Sequence, residues 1–322
     1  MDNVNWDAYW RNAESSAAHL DGGPQDESLQ KFWSEYFSRQ FSSIDQNSFL
    51  LDVACGNGAV PRFALASSIE SNFPVTICGL DDSAAAVKEM LRRDSVIHGV
   101  AAPLRQMPFN DDCFDIVTSQ FGIEYAGSEG IPEALRVLKR GGSFAAVMHQ
   151  KDGAIYRECQ INLQAIESFS ASRVLENFRS LFQLVVVDAS VATRSQVQAS
   201  DRDFARSVAL AEKVFSGWGK TVASGTLFKI YQDIGHMYSR LRTYDANELF
   251  EWVQVMQNEL QTYGGRMSSM LNAALDKDAL SSLLNNMRQL GMRIEDESTL
   301  KFGPQSQPSA WVLQAVKEKK KT

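Results

Sequence analysis

The sequence has no pair of cysteines at metal or redox spacing. Its four cysteines, Cys55, Cys78, Cys113 and Cys159, are scattered, which argues against a disulfide frame or a zinc site and suits a reducing compartment. It also lacks a basic patch within any folded segment. The one basic run is Lys317-Glu318-Lys319-Lys320-Lys321, and the formal net charge is -7. An acidic surface repels phosphate backbones, so composition disfavours a nucleic-acid partner. No apolar run is long enough to span a bilayer. The opening Met1-Asp2-Asn3-Val4-Asn5-Trp6 has neither the basic nor the apolar region of a secretory signal. There is no internal repeat, no low-complexity linker and no cluster of acids at metal spacing. These absences lead to the expectation of a cytoplasmic protein without a membrane span or a metal. What is present is apolar material, 44% of 322 residues, enough for one large domain or two modest ones.

The chain opens on an aromatic cluster at Trp6, Tyr9 and Trp10. Between Asp26 and Ile44, bulky groups recur at spacings of three and four (Leu29, Phe32, Trp33, Tyr36, Phe37, Phe41), which predicts an amphipathic helix. The rhythm then changes. Ser48–Ala54 reads as a buried strand and about Ala59–Ile69 as a helix, with Pro61 tolerated in its first turn. Pro74–Leu80 reads as a strand, and Ser83–Arg93 as a helix with Ser83 as N-cap. Val96–Ala101 is a strand weakened by Gly99, and Phe114–Ser119 is a fourth. Ile131–Lys139 reads as a helix closed by Arg140-Gly141-Gly142, and Ser143–Met148 as a fifth strand. Such alternation predicts a parallel sheet with helices on both faces and its ligand-bearing strand ends on one edge. From about Ala154 to Asn272 the spacing is helical. A helix over Asp278–Leu290 and strands over Met292–Phe302 and Ala310–Val316 then close the chain.

The stretch that carries chemistry is Leu50-Leu51-Asp52-Val53-Ala54-Cys55-Gly56-Asn57-Gly58, a strand running through a tight glycine turn into a helix. Glycines let backbone N–H groups approach a ligand, and the helix N-terminus suits a carboxylate. Asp52 sets a negative charge beside the turn, ready for an ammonium. Asp81, at the end of the next strand, stands where an acid can hold both ribose hydroxyls. A dinucleotide site shares these features. It also wants a third small residue where Pro61 stands, and an acid at Asp52 would repel a pyrophosphate.

These residues resemble motif I of the class I S-adenosylmethionine-dependent methyltransferases, an Asp followed shortly by Cys-Gly-x-Gly. The resemblance continues through Gly79-Leu80-Asp81-Asp82-Ser83, through Met107-Pro108-Phe109 and Phe114-Asp115-Ile116-Val117, and through Leu138-Lys139-Arg140-Gly141-Gly142. It implies a Rossmann-like α/β fold, doubly wound, with a mostly parallel seven-stranded sheet and a helical insertion after strand 5. It implies S-adenosyl-L-methionine as cofactor. Carried over by position, Ala54, Gly56, Asn57 and Gly58 would line the methionine part and Asp52 would anchor its amino end. Asp81 would hold the ribose, with Asp82 and Ser83 beside it. Leu104, Arg105 and Gln106 would flank adenine, and Gln120 and Phe121 would face the sulfonium. An acid that members often carry to accept from the adenine amino group is missing, because that place falls near Pro103; backbone groups would hold adenine instead.

Methyl transfer from a sulfonium needs orientation and exclusion of water more than covalent chemistry. His149, just past the fifth strand, is the candidate general base, weighed against a histidine merely satisfied at the sheet edge. Glu124 and Tyr125, past the fourth strand, could touch substrate or cap the next turn. The fourth strand ends in Thr118-Ser119-Gln120-Phe121-Gly122. It lacks the Asn/Asp-Pro-Pro-Tyr and Pro-Cys segments that family members acting on nucleic acids use. Four parts are expected: 1–45, a helical segment covering the cofactor site; 46–150, the cofactor-binding core; 151–277, a helical lid or substrate insertion; and 278–322, the closing helix and two strands. The expected partner is a small-molecule acceptor with an oxygen, nitrogen or carbon nucleophile. A protein or RNA methyltransferase that docks through the insertion, and a non-catalytic cofactor-binding protein, are the alternatives.

Overall fold

The computed structural model describes residues 6–7, 9–10, 27–43, 47–302 and 307–319. Seven strands form one sheet: β1 (Ser48–Val53), β2 (Val75–Asp81), β3 (His98–Ala101), β4 (Phe114–Gln120), β5 (Leu138–His149), β6 (Met292–Phe302) and β7 (Gln307–Lys317). Their order is β3-β2-β1-β4-β5-β7-β6. The first five strands pair in parallel, and β7 runs antiparallel to both β5 and β6. This is the doubly wound, mostly parallel α/β sheet expected from the alternation. The order reverses between β1 and β4, and at such a switch point the strand ends leave a crevice for a ligand.

The central strand explains itself. Leu50 and Leu51 point to opposite faces, yet both are fully buried, as a strand covered on both sides requires. One face packs Leu51, Val53, Val117, Phe144 and Met148 with Leu284 and Met287. The last two lie on the helix Lys277–Gln289, which Asp276 caps. Helix α1 (Glu27–Ser43) buries Leu29, Trp33, Tyr36, Phe37 and Phe41, the stripe its spacing predicted. Three polar bonds tie α1 to successive strands. Trp33 Nε1 donates to Gln120 Oε1 at 2.6 Å, Tyr36 Oη meets Ser143 Oγ at 2.9 Å, and Arg39 donates to Gln314 Oε1 at 3.0 Å. The helices after β1 and β2 are α2 (Ala59–Ser71) and α3 (Ala84–Arg93). Ser83 caps α3 as expected, accepting from Ala86 N at 3.2 Å.

Two boundaries differ from the sequence expectation. The helix before β5 is α4 (Gly130–Val137), and β5 starts at once, at Leu138. Arg140-Gly141-Gly142 is therefore strand, not a helix stop. Phe114 pairs with Leu138, whereas Ile116 pairs with Ser143. The extra residues bulge out at Gly141, whose φ of 84° suits glycine. Strand β3 starts only at His98, because Ile97 closes a turn onto Asp94 O. The Gly303-Pro304 connection expected between the last two strands lies outside the described residues.

The chain divides into two compact units, Met1–Arg157 with Ser269–Thr322, and Glu158–Ser268. The second is helical, with Phe169, Phe178, Phe182, Phe204, Ile230 and Val253 buried in its own core. Among the described residues no helix is long and apolar enough to cross a membrane.

Candidate functional site

The site grows from the tips of β1, β2, β4 and β5. Parallel register sets Asp52 beside both Gly79 and Thr118. Asp52 is 1% exposed and accepts from Thr118 Oγ1 at 2.8 Å. No ion pair reaches it among the described residues. Burial pushes its carboxyl well above the usual carboxylate range, and nearby Asp81 pushes it the same way, against the Thr118 hydrogen bond. A cation placed beside an acid held this way would favour its charged form.

The turn after β1 needs unusual backbone. Ala54, Gly56 and Gly58 have φ of 58°, 52° and 86°. A Cβ on Gly56 would lie 2.8 Å from Trp10 Cζ2, and one on Gly58 2.5 Å from Met90 Cγ, so larger residues are barred on both counts. Asn57 is 2% exposed. Its amide Nδ2 is buried with no hydrogen-bond partner among the described residues, an orphan donor suited to a carboxylate. Cys55 is a buried free thiol in the turn, as its small size suggested.

Asp81 closes the other side. Its Oδ2 accepts from Gly56 N and its Oδ1 from Ser83 N, both at 2.8 Å. Each oxygen keeps lone-pair capacity for one more donor, which matches a pair of ribose hydroxyls. Burial pushes its carboxyl up to about 6; the two backbone hydrogen bonds pull down, and Asp82 and Asp7 push up. Asp82 is raised too, first by burial, with Arg105 opposing. Asp7 accepts from Ser83 Oγ at 2.8 Å and Ala85 N at 3.3 Å, bringing the early aromatic cluster to this edge. Trp6 stands edge-on to Tyr125 at 5.9 Å.

Asp81 yields a pH prediction. Its folded value lies above that of an unfolded aspartate, so its contribution to stability is full below the unfolded value and fades as pH rises through about 6. A ligand that donates to the ionised carboxylate acts in the opposite sense and expels the proton. Affinity for S-adenosylhomocysteine should therefore rise from about pH 5 to about pH 7, by up to roughly tenfold per unit, with proton release. Calorimetry in buffers of different ionisation enthalpy measures both; affinity flat with pH would remove Asp81 from the site.

The remaining sequence candidates separate. Leu104 is buried in the core, while Arg105 points to Glu129 at 3.8 Å and Gln106 is exposed. Gln120 spends its carbonyl oxygen on Trp33. Phe121, at φ 53°, lies 4.6 Å from the His149 ring, centroid to centroid. His149 is 3% exposed. Its Nδ1 lies 2.7 Å from Glu124 Oε1, and its backbone N–H donates to the same oxygen at 2.9 Å. The Glu124–His149 pair was not read from the sequence. The available signal was an acid four residues beyond the β4 tip and a histidine at the tip of the adjacent strand. Strand tips are also tied directly: Ser119 Oγ donates to Val53 O at 2.8 Å and accepts from Ile123 N at 3.1 Å.

The model of the ubiE/COQ5 methyltransferase family matches residues 28–182. The chain is similar to the ubiquinone/menaquinone biosynthesis C-methyltransferase UbiE of Geobacter sulfurreducens, 42% identical over 103 residues, covering 29% of this chain and 38% of that protein. Its counterpart in Geotalea daltonii is 38% identical over 104 residues, covering 30% and 43%. The matched stretch thus spans less than half the length of either relative. The geranyl diphosphate C-methyltransferase of Streptomyces coelicolor A3(2) aligns over 46% of this chain and 64% of that one, at 16% identity and a TM-score of 0.33, a likeness too slight to build on.

Proposed function

We propose that this chain, which belongs to the class I S-adenosylmethionine-dependent methyltransferases, transfers a methyl group from S-adenosylmethionine to a small-molecule acceptor. One observation carries the reading. Asp52, a buried acid with no cation beside it among the described residues, Asn57, whose amide donor has no partner among them, and Asp81, an acid with lone pairs to spare, surround the turn at Gly56 and Gly58. These are the complements of an ammonium, a carboxylate and a ribose. The residues present therefore fit the cofactor, which supplies an electrophilic methyl on a positive sulfur.

The protein's part is to hold and to exclude. Asp52 anchors the amino end, and the Asn57 side-chain amide receives the carboxylate beside the helix N-terminus. Asp81 fixes the sugar and, through Gly56 N, the turn itself. Orienting the two reactants replaces a bimolecular encounter with a near-attack geometry. On the acceptor side, the buried His149–Glu124 pair is the proton-handling element. A small acceptor is supported by the rings of Phe121 and Tyr125 beside that pair, and by the quinone-biosynthesis names of the relatives. Calorimetry tests the reading: S-adenosylhomocysteine should bind and NAD should not. Preference for NAD would replace it with a dehydrogenase.

A further inference from the structure

We propose that Arg136 is a positioning residue for base recognition: from helix α4 it holds residues 103–106 in the backbone shape that reads the purine of the cofactor. This rests on the methyltransferase reading above and names what lets the same site tell one nucleoside from another.

The segment is fixed at both ends. Asp81 pairs with Ala101 across β2 and β3, and Ala102 N donates to Asp81 O at 3.0 Å. A nucleoside whose ribose hydroxyls rest on the Asp81 carboxylate thus has its base beside residues 103–106. At the far end, both backbone polar groups of Met107 are bound. Its N–H donates to Glu133 Oε1 at 2.7 Å, and its carbonyl accepts from Arg136 Nη2 at 3.1 Å. Arg136 spends its other donors in the same place. Nη1 reaches Phe109 O at 2.8 Å and Asp111 Oδ1 at 2.7 Å; Nε and Nη2 reach Glu133 Oε2 and Oε1 at 2.9 and 2.8 Å. The five N–H groups of the guanidinium are thereby used. Between the fixed ends, Gln106 N closes a turn onto Pro103 O at 3.1 Å, and Leu104, 3% exposed, plugs into the core.

What this network supplies is shape. The Arg136 side chain is 31% exposed, and ion pairs with that much water around them add little stability. A planar fork with donors at fixed angles, in contrast, sets two carbonyls and two carboxylates relative to one another, which an ammonium cannot do. Shape matters here because none of the described residues 103–106 carries a buried polar side chain with which to read a base. Pro103 has no N–H, Leu104 is apolar, and Arg105 and Gln106 are exposed. Arg105 also turns to Glu129 at 3.8 Å. Hydrogen bonds that compete with water discriminate weakly, so the reading falls to main-chain N–H and C=O groups. In adenine an amino group donates beside a ring nitrogen that accepts; in hypoxanthine both roles are reversed. Main-chain groups separate the two only if they are held in place, because a hydrogen bond weakens steeply with misalignment.

The test titrates the full chain with S-adenosylhomocysteine and with S-inosylhomocysteine, which carries hypoxanthine in place of adenine. Wild type should prefer the adenine ligand by about tenfold or more. Arg136→Lys keeps the charge and loses the fork. It should weaken S-adenosylhomocysteine about tenfold and leave S-inosylhomocysteine within about twofold of wild type, so that the preference collapses. A merely structural role would lower both affinities by one factor and leave the preference intact. Should Arg136→Lys show no cooperative melt, Glu133→Gln keeps an acceptor for Met107 N, removes the charge that the fork grips, and should reduce the preference in the same sense. Equal binding of the two ligands by wild type, or an unaltered preference in the folded variant, overturns the proposal and leaves the cofactor reading standing. Failure of wild type to bind S-adenosylhomocysteine overturns both.

Discussion

Asp52→Asn should weaken S-adenosylhomocysteine binding by about 2–5 kcal/mol, a factor of roughly 30 to several thousand, the scale of removing one member of a buried charge pair. The same change should raise the melting temperature of the ligand-free protein. The two effects have one cause. Asp52 is buried, its carboxyl accepts from Thr118 among the described residues, and burial disfavours its charged form. Without ligand the charge costs stability; with an ammonium in place it becomes half of a desolvated ion pair. Asparagine keeps the shape and an acceptor for Thr118 but removes the charge. Calorimetry and thermal melts read the two signs separately. Lower stability with unchanged affinity would mean that Asp52 is a structural acid.

Gly122→Ala should destabilise the protein by about 1–3 kcal/mol, the usual cost of overpacking, and weaken cofactor binding with it. A Cβ at Gly122 would stand 2.2 Å from the Cβ of Ala54 and 3.4 Å from its carbonyl oxygen. Ala54 cannot easily retreat. It already holds φ of 58°, and the next residue is pinned by the Cys55 N–H bond to Leu80 O at 3.0 Å. The tips of β1 and β4 would part where Asp52 and the turn begin. Gly217, with nothing within 4 Å of an added Cβ, is the control. Gly217→Ala lies inside the helix Arg194–Trp218 and should be neutral or stabilising by up to about 1 kcal/mol. A normal melting temperature for Gly122→Ala would show that the strand tips are looser than described.

The grouping of residues proposed to hold the cofactor was legible in the sequence because its logic is local. Asp52 and the two glycines lie within seven consecutive positions, and Asp81 ends the next apolar run. Strand-turn-helix punctuation places them at one edge without knowledge of distant contacts. The Glu124–His149 pairing was not legible for the opposite reason. Glu124 and His149 are 25 residues apart and meet only because β4 and β5 are neighbours. A histidine after a strand could therefore be weighed only as a lone base. The bond from Trp33 to Gln120 spans 87 residues; it gives a residue expected to face the sulfonium a role as an anchor for α1 as well. Gly141 misled for a local reason. An Arg-Gly-Gly run signals a helix end as well as a bulge, and only the β4–β5 register distinguishes them.

The decisive observation is a crystal structure of the protein with S-adenosylhomocysteine. The amino group is expected within hydrogen-bond reach of Asp52, the carboxylate at Asn57 and the glycine turn, and both ribose hydroxyls on Asp81. Density for the ligand elsewhere, with the tips of β1 and β2 bare, would contradict it.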